Sequence, residues 1–414
     1  MEIDSASSWT LKAACSLAAP IIYTGRACSF WATTGRPTST RSTPPADPRS
    51  IGPPTPVPSM QGRRMVSVAA NDSHCLALSR EGEVYSWGDG FYGALGHADG
   101  GERTVPIRIE SLSRIESITA GSNRTSAAVD EDGRLFTWGR AESNKNEPHE
   151  DEYLPSGLGY ALESQAESQP TPKLVDALSG DRVVGVSIGW CFTLAVSDAG
   201  AVFSFGHSES GALGHGKTPF EKSAEVLPRR IEALAQTGRR FVTVATGAHH
   251  AFALNEEGEL YGWGLGRTNG HGRDEPTLQQ LNAFDDQRIK HVVAAASISA
   301  CAVTEKDEVY TWGDRRRGEL GHGNDFLETR PKRVEGLNGV KVAAVAICSN
   351  HTLVADDHGV VWAFGQRSAL GLGDPDEDED DSDADTNREV RWKPAPLPTL
   401  RVRACKSPDV VPFR

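Results

Sequence analysis

MVSVAANDSHCLALSREGEVYSWGDGFYGALGH, residues 65–97, decides how the rest of the chain is read. Val66, Val68 and Ala69 begin a short alternating segment. Cys75 to Leu78 form a second apolar run, closed by Glu81-Gly82. Val84-Tyr85-Ser86-Trp87 form a third, stopped by Gly88. Short apolar runs between glycine turns predict strands. The unit ends on Gly93-Ala94-Leu95-Gly96-His97. Three short strands cannot bury both of their faces, so the unit needs copies to stack on.

The copies are present. An aromatic-Gly pair recurs at Trp87-Gly88, Trp138-Gly139, Phe205-Gly206, Trp263-Gly264, Trp312-Gly313 and Phe364-Gly365. Thirteen residues before each aromatic lie His74, Thr125, Phe192, His250, Ser299 and His351. A Leu-Gly pair follows at Leu95-Gly96, Leu158-Gly159, Leu213-Gly214, Leu320-Gly321 and Leu370-Gly371, while the fourth copy has Gly270-His271-Gly272. Each Trp or Phe is read as a structural anchor between copies. The glycine after it permits a turn closed to residues with a Cβ.

The pattern Gly-x-x-His, then Gly-x-Val-Tyr-x-Trp-Gly, then Gly-x-Leu-Gly-His-Gly resembles the RCC1 (regulator of chromosome condensation) repeat. The likeness is clear over residues 65–373 and weaker towards both ends. It implies an all-β, seven-bladed RCC1-type β-propeller of four-stranded antiparallel blades. Radial repetition is one way for such a chain to protect its strand edges. Phe30 to Gly35 resembles the aromatic-Gly strand, and residues 400–414 resemble the first half of a repeat, with Asp409 in the place of His74. Two half-repeats predict a ring closed by pairing residues 402–413 with a strand near Phe30. The propeller then spans 21–414, and 1–20 stays unassigned. Three insertions, at 141–172, 217–228 and 374–390, are expected between repeats. The last contains DPDEDEDDSDAD, a like-charge block that reads as a solvated, disordered loop.

Composition bounds the function. The 414 residues carry a formal charge of −13, which argues against a general nucleic-acid binder. No apolar window is long enough to span a bilayer as a helix, so no membrane association is expected. Seven cysteines without a Cys-x-x-Cys fit free thiols in a reducing compartment. A cytoplasmic location is expected. The Ser/Thr/Arg-rich, acid-poor stretch 23–50 keeps a mitochondrial presequence as the alternative, and a nuclear location stays open.

There is no Gly-x-Ser-x-Gly, P-loop or His-Glu-x-x-His. The recurring histidines are spread one per repeat, so hydrogen bonding within each blade is expected and a metal site is not. No catalytic residue and no cofactor are assigned. The first functional reading is a non-catalytic platform for protein partners, with a small GTPase as a candidate client. The alternative is guanine-nucleotide exchange on a Ran-like GTPase, as the resemblance to the family's founding member implies. In that reading Asp72 matches the first functional aspartate and His249 or His250 the functional His-His pair. Arg124 stands where the second functional aspartate would be, and it is expected to pair with Asp72. The loop wedge is absent. A third reading, an ultraviolet-B photoreceptor, needs tryptophans in consecutive blades. Here Trp190 stands alone, against Asp72, Asn123, Ala248, Ser297 and Ser349. As a break in the repeat, Trp190 is expected to be partly exposed. Electrostatics give a direct expectation: in a nucleosome pull-down, no bound chain should survive about 200 mM salt.

Overall fold

The computed structural model describes residues 57–401, apart from 72, 142–156, 163–165, 209, 217–222, 273–274, 285, 296–297, 314–316 and 371–389. Blade 1 comprises β1 (Met65–Ala70), β2 (His74–Ser79), β3 (Val84–Gly88) and β4 (Arg103–Arg108). Blade 2 comprises β5 (Ile115–Gly121), β6 (Thr125–Asp130), β7 (Leu135–Arg140) and β8 (Ser168–Leu174). Blade 3 comprises β9 (Val183–Ile188), β10 (Phe192–Ser197), β11 (Val202–Ser208) and β12 (Ser223–Arg230). Blade 4 comprises β13 (Phe241–Thr246), β14 (His250–Asn255), β15 (Leu260–Gly264) and β16 (Glu275–Gln280). Blade 5 comprises β17 (Ile289–Ala294), β18 (Ser299–Thr304), β19 (Val309–Gly313) and β20 (Glu328–Arg333). Blade 6 comprises β21 (Val342–Ile347), β22 (His351–Asp356), β23 (Val360–Gln366) and β24 (Val390–Arg401).

Each blade is an antiparallel meander of four consecutive strands. The described residues therefore form six blades, which corrects the expected seven. The expected closure by residues 402–413 and a strand near Phe30 lies outside the described residues. The boundary at 400 is also corrected. Arg401 pairs with Val360, so Leu400 and Arg401 finish the outer strand of blade 6 rather than start a new repeat. The propeller accordingly runs past 373. The insertions fall inside blades 2, 3 and 6, between third and fourth strands, and not between repeats. The third-to-fourth connection is free to vary because the outer strand is paired along one side only.

The core lies between blades. One apolar cluster joins Leu76, Leu78 and Val84 of blade 1 to Ile115, Ile118 and Trp138 of blade 2. Another joins Phe192 and Leu194 of blade 3 to Phe241, Val244 and Trp263 of blade 4. Successive blades also meet at their inner strands, β1 against β5, β5 against β9, and so on to β21. The second strands are buried almost throughout, on both faces, which is why they read as continuous apolar runs.

The aromatic anchors make this stacking specific. Trp138 Nε1 donates to the carbonyl of Ala94, in the turn of the preceding blade, at 2.9 Å. Trp263 donates in the same way to Ala212 and Trp312 to Thr268, at 2.8 and 2.9 Å. The glycine after each anchor sits at φ between +96° and +122°. A Cβ there would also collide with the second strand. At Gly139 and Gly313 it would lie 2.1 Å from the carbonyl oxygens of Arg124 and Ile298. Conformation and space both demand glycine.

Every outer strand carries proline: Pro106, Pro170 and Pro172, Pro228, Pro276, Pro331, and Pro394 with Pro396. Proline has no N–H to offer, and an edge strand is where a sheet tolerates it. Replacing Trp263 or Trp312 by Ala removes a fully buried ring and leaves its carbonyl partner unpaired. We expect a loss of about 3–5 kcal/mol in denaturant unfolding for either, and a much smaller loss for Trp190→Ala.

Candidate functional site

The two faces of the propeller are built differently. On one face, a glycine turn of each of the first four blades fits under a basic residue of the next, while blade 5 has Asp307 in that place, also at positive φ. The amide of Ile115 donates to Gly82, Val183 to Gly133, Phe241 to Gly200 and Ile289 to Gly258. Cβ atoms on these glycines would strike Arg114, Arg182, Arg240 and Arg288. Exposed ion pairs decorate this face, Arg240 with Glu256 and Arg288 with Glu305 among them. Such pairs contribute little, because water and salt screen them. This face is regular, and its regularity is accounted for by blade stacking.

The opposite rim is formed where first and second strands join. It includes the residue that follows each anchor glycine. Backbone bonds tie the two together: Asp89 to Ser73, Arg140 to Arg124, His207 to Cys191, Leu265 to His249 and Gln366 to Asn350. The residues of the exchange reading map here. Asp72 lies outside the described residues. His250 is fully buried at the start of β14, whereas His249 is exposed on the rim. Arg124 does not wait on Asp72 for a partner. Its Nε and Nη2 donate to Asp89 Oδ2 at 3.2 and 3.1 Å.

Aromatic rings support the arginines. The Arg124 guanidinium stands 5.8 Å from the Phe91 ring centre, and that of Arg140 is 4.7 Å above Tyr92. Phe91 and Tyr92 touch each other at 4.4 Å. Arg140 also donates to Asn123 Oδ1 at 2.9 Å. The amide of Asn123 reaches Cys191, beside Trp190. Phe91 is 55% exposed and Trp190 41%. Tyr92 and Arg124 both adopt positive φ, +61° and +57°. An L-residue pays roughly 1–2 kcal/mol for that conformation. None of Ser73, Cys191, His249 and Asn350, the counterparts of Arg124, shares it. Sequence reading singled out Arg124 and Trp190 but missed Asp89, Phe91, Tyr92 and Arg140. Their signal was present: the turn between β3 and β4 carries two adjacent aromatics where the third copy has Glu209-Ser210.

The recurring histidines His74, His250 and His351 are structural, and His74 combines the expected bonding within its blade with a bond to the next. His74 Nδ1 accepts from the Asn71 amide at 3.1 Å, so Nε2 carries the proton. Nε2 donates across the blade boundary to Ser126 Oγ at 2.6 Å, and the Ser126 hydroxyl in turn donates to the Ala94 carbonyl. His250 and His351 have no partner for either ring nitrogen among the described residues. The next blade offers His250 the side chain of Ala300 in place of that serine. Its ring instead packs edge-on to Phe252 and against Gly247, where a Cβ would lie 2.0 Å away. This contact explains the glycine three residues ahead.

Sequence patterns described as "Regulator of chromosome condensation (RCC1) repeat" match residues 81–128, 199–254 and 306–355, and a second such pattern matches 65–94 and 241–273. The E3 ubiquitin-protein ligase HERC2 of Homo sapiens is 37% identical over 313 residues, 73% of this chain but 6% of that protein. The ultraviolet-B receptor UVR8 of Arabidopsis thaliana is 34% identical over 292 residues, 69% of this chain and 61% of that one. The chain thus spans less than two thirds of these relatives. The solved structure of yeast RCC1 (Prp20) bound to Kap60 superposes with a TM-score of 0.63 at 22% identity, covering 80% of this chain and 74% of that one. Fold and repeat motifs define a β-propeller of RCC1 type. The chain belongs to the RCC1-repeat family.

Burial lowers the pKa of His74 to about 4, of His250 to about 3 and of His351 to about 4. All three are neutral in the folded protein near neutrality. Unfolding exposes them to their ordinary pKa of 6.5, so below that pH the unfolded state binds more protons. Their contribution is complete above pH 6.5 and declines as pH falls from 6.5 towards 4. Urea midpoints measured across this range should drop. The fall should be shallower for His351→Phe than for the wild type.

Proposed function

We propose that this propeller is a non-catalytic platform for protein partners, and that the rim of blades 1–3 is its contact surface. The observation that carries the reading is the break in the repeat. Two arginines stacked on aromatic rings, with exposed Phe91 and Trp190, occupy one rim of an otherwise periodic molecule. Periodic residues are explained by stacking, and these are not. The names of the relatives support a binding role over a fixed chemistry, since a ubiquitin ligase and a light receptor share the repeats.

Exchange on a Ran-like small GTPase is the second reading. Prp20p of Saccharomyces cerevisiae, which shares the fold, has binding properties to Gsp1p and histones. The rim here holds exposed His249, and Asp72 enters this reading from the sequence alone. Arg124 opposes that reading, because it brings a cation where the resemblance calls for a carboxylate and occupies Asp89. Binding with weak catalysed release follows. A cytoplasmic location belongs to the proposal too, on the reading that seven cysteines without a Cys-x-x-Cys suit a reducing compartment.

Release of a fluorescent guanine nucleotide from a GTPase panel that includes Ran separates the two. The platform reading expects little acceleration by the wild type and partners captured from extract that are lost on Trp190→Ala. Robust exchange abolished by Asp72→Ala would put the exchange reading first. Higher activity in Arg124→Asp would identify that substitution as the brake.

A further inference from the structure

The chemistry of the rim narrows the kind of partner, on the reading that this rim is the contact surface. Arg124 has five N–H groups. Asp89 Oδ2 takes one from Nε and one from Nη2. The remaining three form the outer edge of a guanidinium that is about one third exposed. The carboxylate that holds Arg124 is engaged on both of its oxygens. Its Oδ1 already accepts from the Phe91 amide at 2.9 Å. Among the described residues of this patch, both Asp89 oxygens are therefore engaged, while three N–H groups of Arg124 keep no protein acceptor.

The arginine is also fixed in place. Asp89 holds the inner side of its head and Phe91 lies beside it. Its backbone is set by the bond from the Arg140 amide to its carbonyl, at 3.1 Å. A planar, pre-oriented fork suits a carboxylate in two-point contact. Next to it Phe91 turns more than half of its surface to water. An apolar side chain from a partner would cover that ring and exclude water from the charged contact.

We propose that the rim of blades 1 and 2 binds an acidic-apolar protein segment, with an Asp or Glu carboxylate on the outer edge of Arg124 and a neighbouring apolar side chain on Phe91. The overall charge of −13 works against acidic partners elsewhere on the surface. It confines an acidic segment to this patch and makes recognition orientation-specific. Rising salt weakens the net repulsion and the local attraction together, so the patch variants and not salt alone carry the test.

Random peptides displayed on phage and panned against the full chain provide the probe, followed by fluorescence anisotropy on the enriched peptides. The expected peptides carry Asp or Glu within a residue or two of an aromatic or branched aliphatic side chain. Arg124→Asn, which keeps a residue tolerant of positive φ, should weaken their binding about tenfold. Phe91→Ser should do the same and, being an exposed position, should leave the melting temperature unchanged. Enrichment of basic or uncharged peptides that are lost on Phe91→Ser would overturn the proposed chemistry and leave the rim as the contact surface. Acidic-apolar peptides that bind both variants like the wild type would overturn the rim as well. Failure to enrich any peptide would overturn the proposal.

Discussion

The bond between an indole N–H and a turn carbonyl of the preceding blade is what the stacking depends on. A blade of this size has two apolar faces and no core of its own. Apolar contact alone would hold two blades together at many offsets, because it has no direction. The indole fixes one offset. Its ring fills the space between blades while its N–H finds a single acceptor, at Ala94, Ala212 or Thr268. Phe205 and Phe364 fill the same space without that bond. There the glycine turn closes directly on the ring, and a Cβ on Gly159 or Gly321 would approach it to 3.0 or 2.8 Å.

Local turns are built to serve this contact. Ser86, Ser204 and Thr311 each donate to a Leu carbonyl in the turn and receive a bond from the histidine that follows it, His97, His215 or His322. In blades 1 and 3 the turn is thereby held in the shape that presents a carbonyl to the next indole, and in blade 5 it is held against Phe364. In blade 2 Tyr160 replaces the histidine and reaches Thr137 with its hydroxyl. The same job is done by different chemistry, which explains why Leu-Gly recurs more faithfully than His.

Much of the fold was legible because its rules repeat. Trp-Gly, Leu-Gly and the apolar second strands each recur at fixed offsets, and each has a local physical cause. Those offsets counted six copies, the number of blades described, and the seventh rested on the resemblance and on half-repeats that lie outside the described residues. A repeat counted from aromatic to aromatic says nothing of where a sheet begins, and the proline-bearing strand after each insertion belongs to the blade before it. The rim was only partly legible for the opposite reason. Arg124 and Trp190 announced themselves as departures from the repeat. Asp89, Phe91 and Tyr92 sit in a turn whose sequence varies freely among the copies, and only the fold brings the first two to Arg124 and Tyr92 to Arg140.

The prolines of the outer strands restrict how any partner can engage. Many proteins recognise an extended peptide by adding it to a sheet as one more strand, with the backbone supplying the affinity. Pro106, Pro228 and Pro331 interrupt the row of donors such a strand would need. The circumference of the molecule, although it exposes Val105, Ile107 and Leu227, is thus a poor template for β-augmentation. Recognition is diverted from main chain to side chain, and from the perimeter to the faces. There the sequence of each turn can change without disturbing a hydrogen-bond ladder, so one scaffold can acquire different specificities while its blades stay as they are.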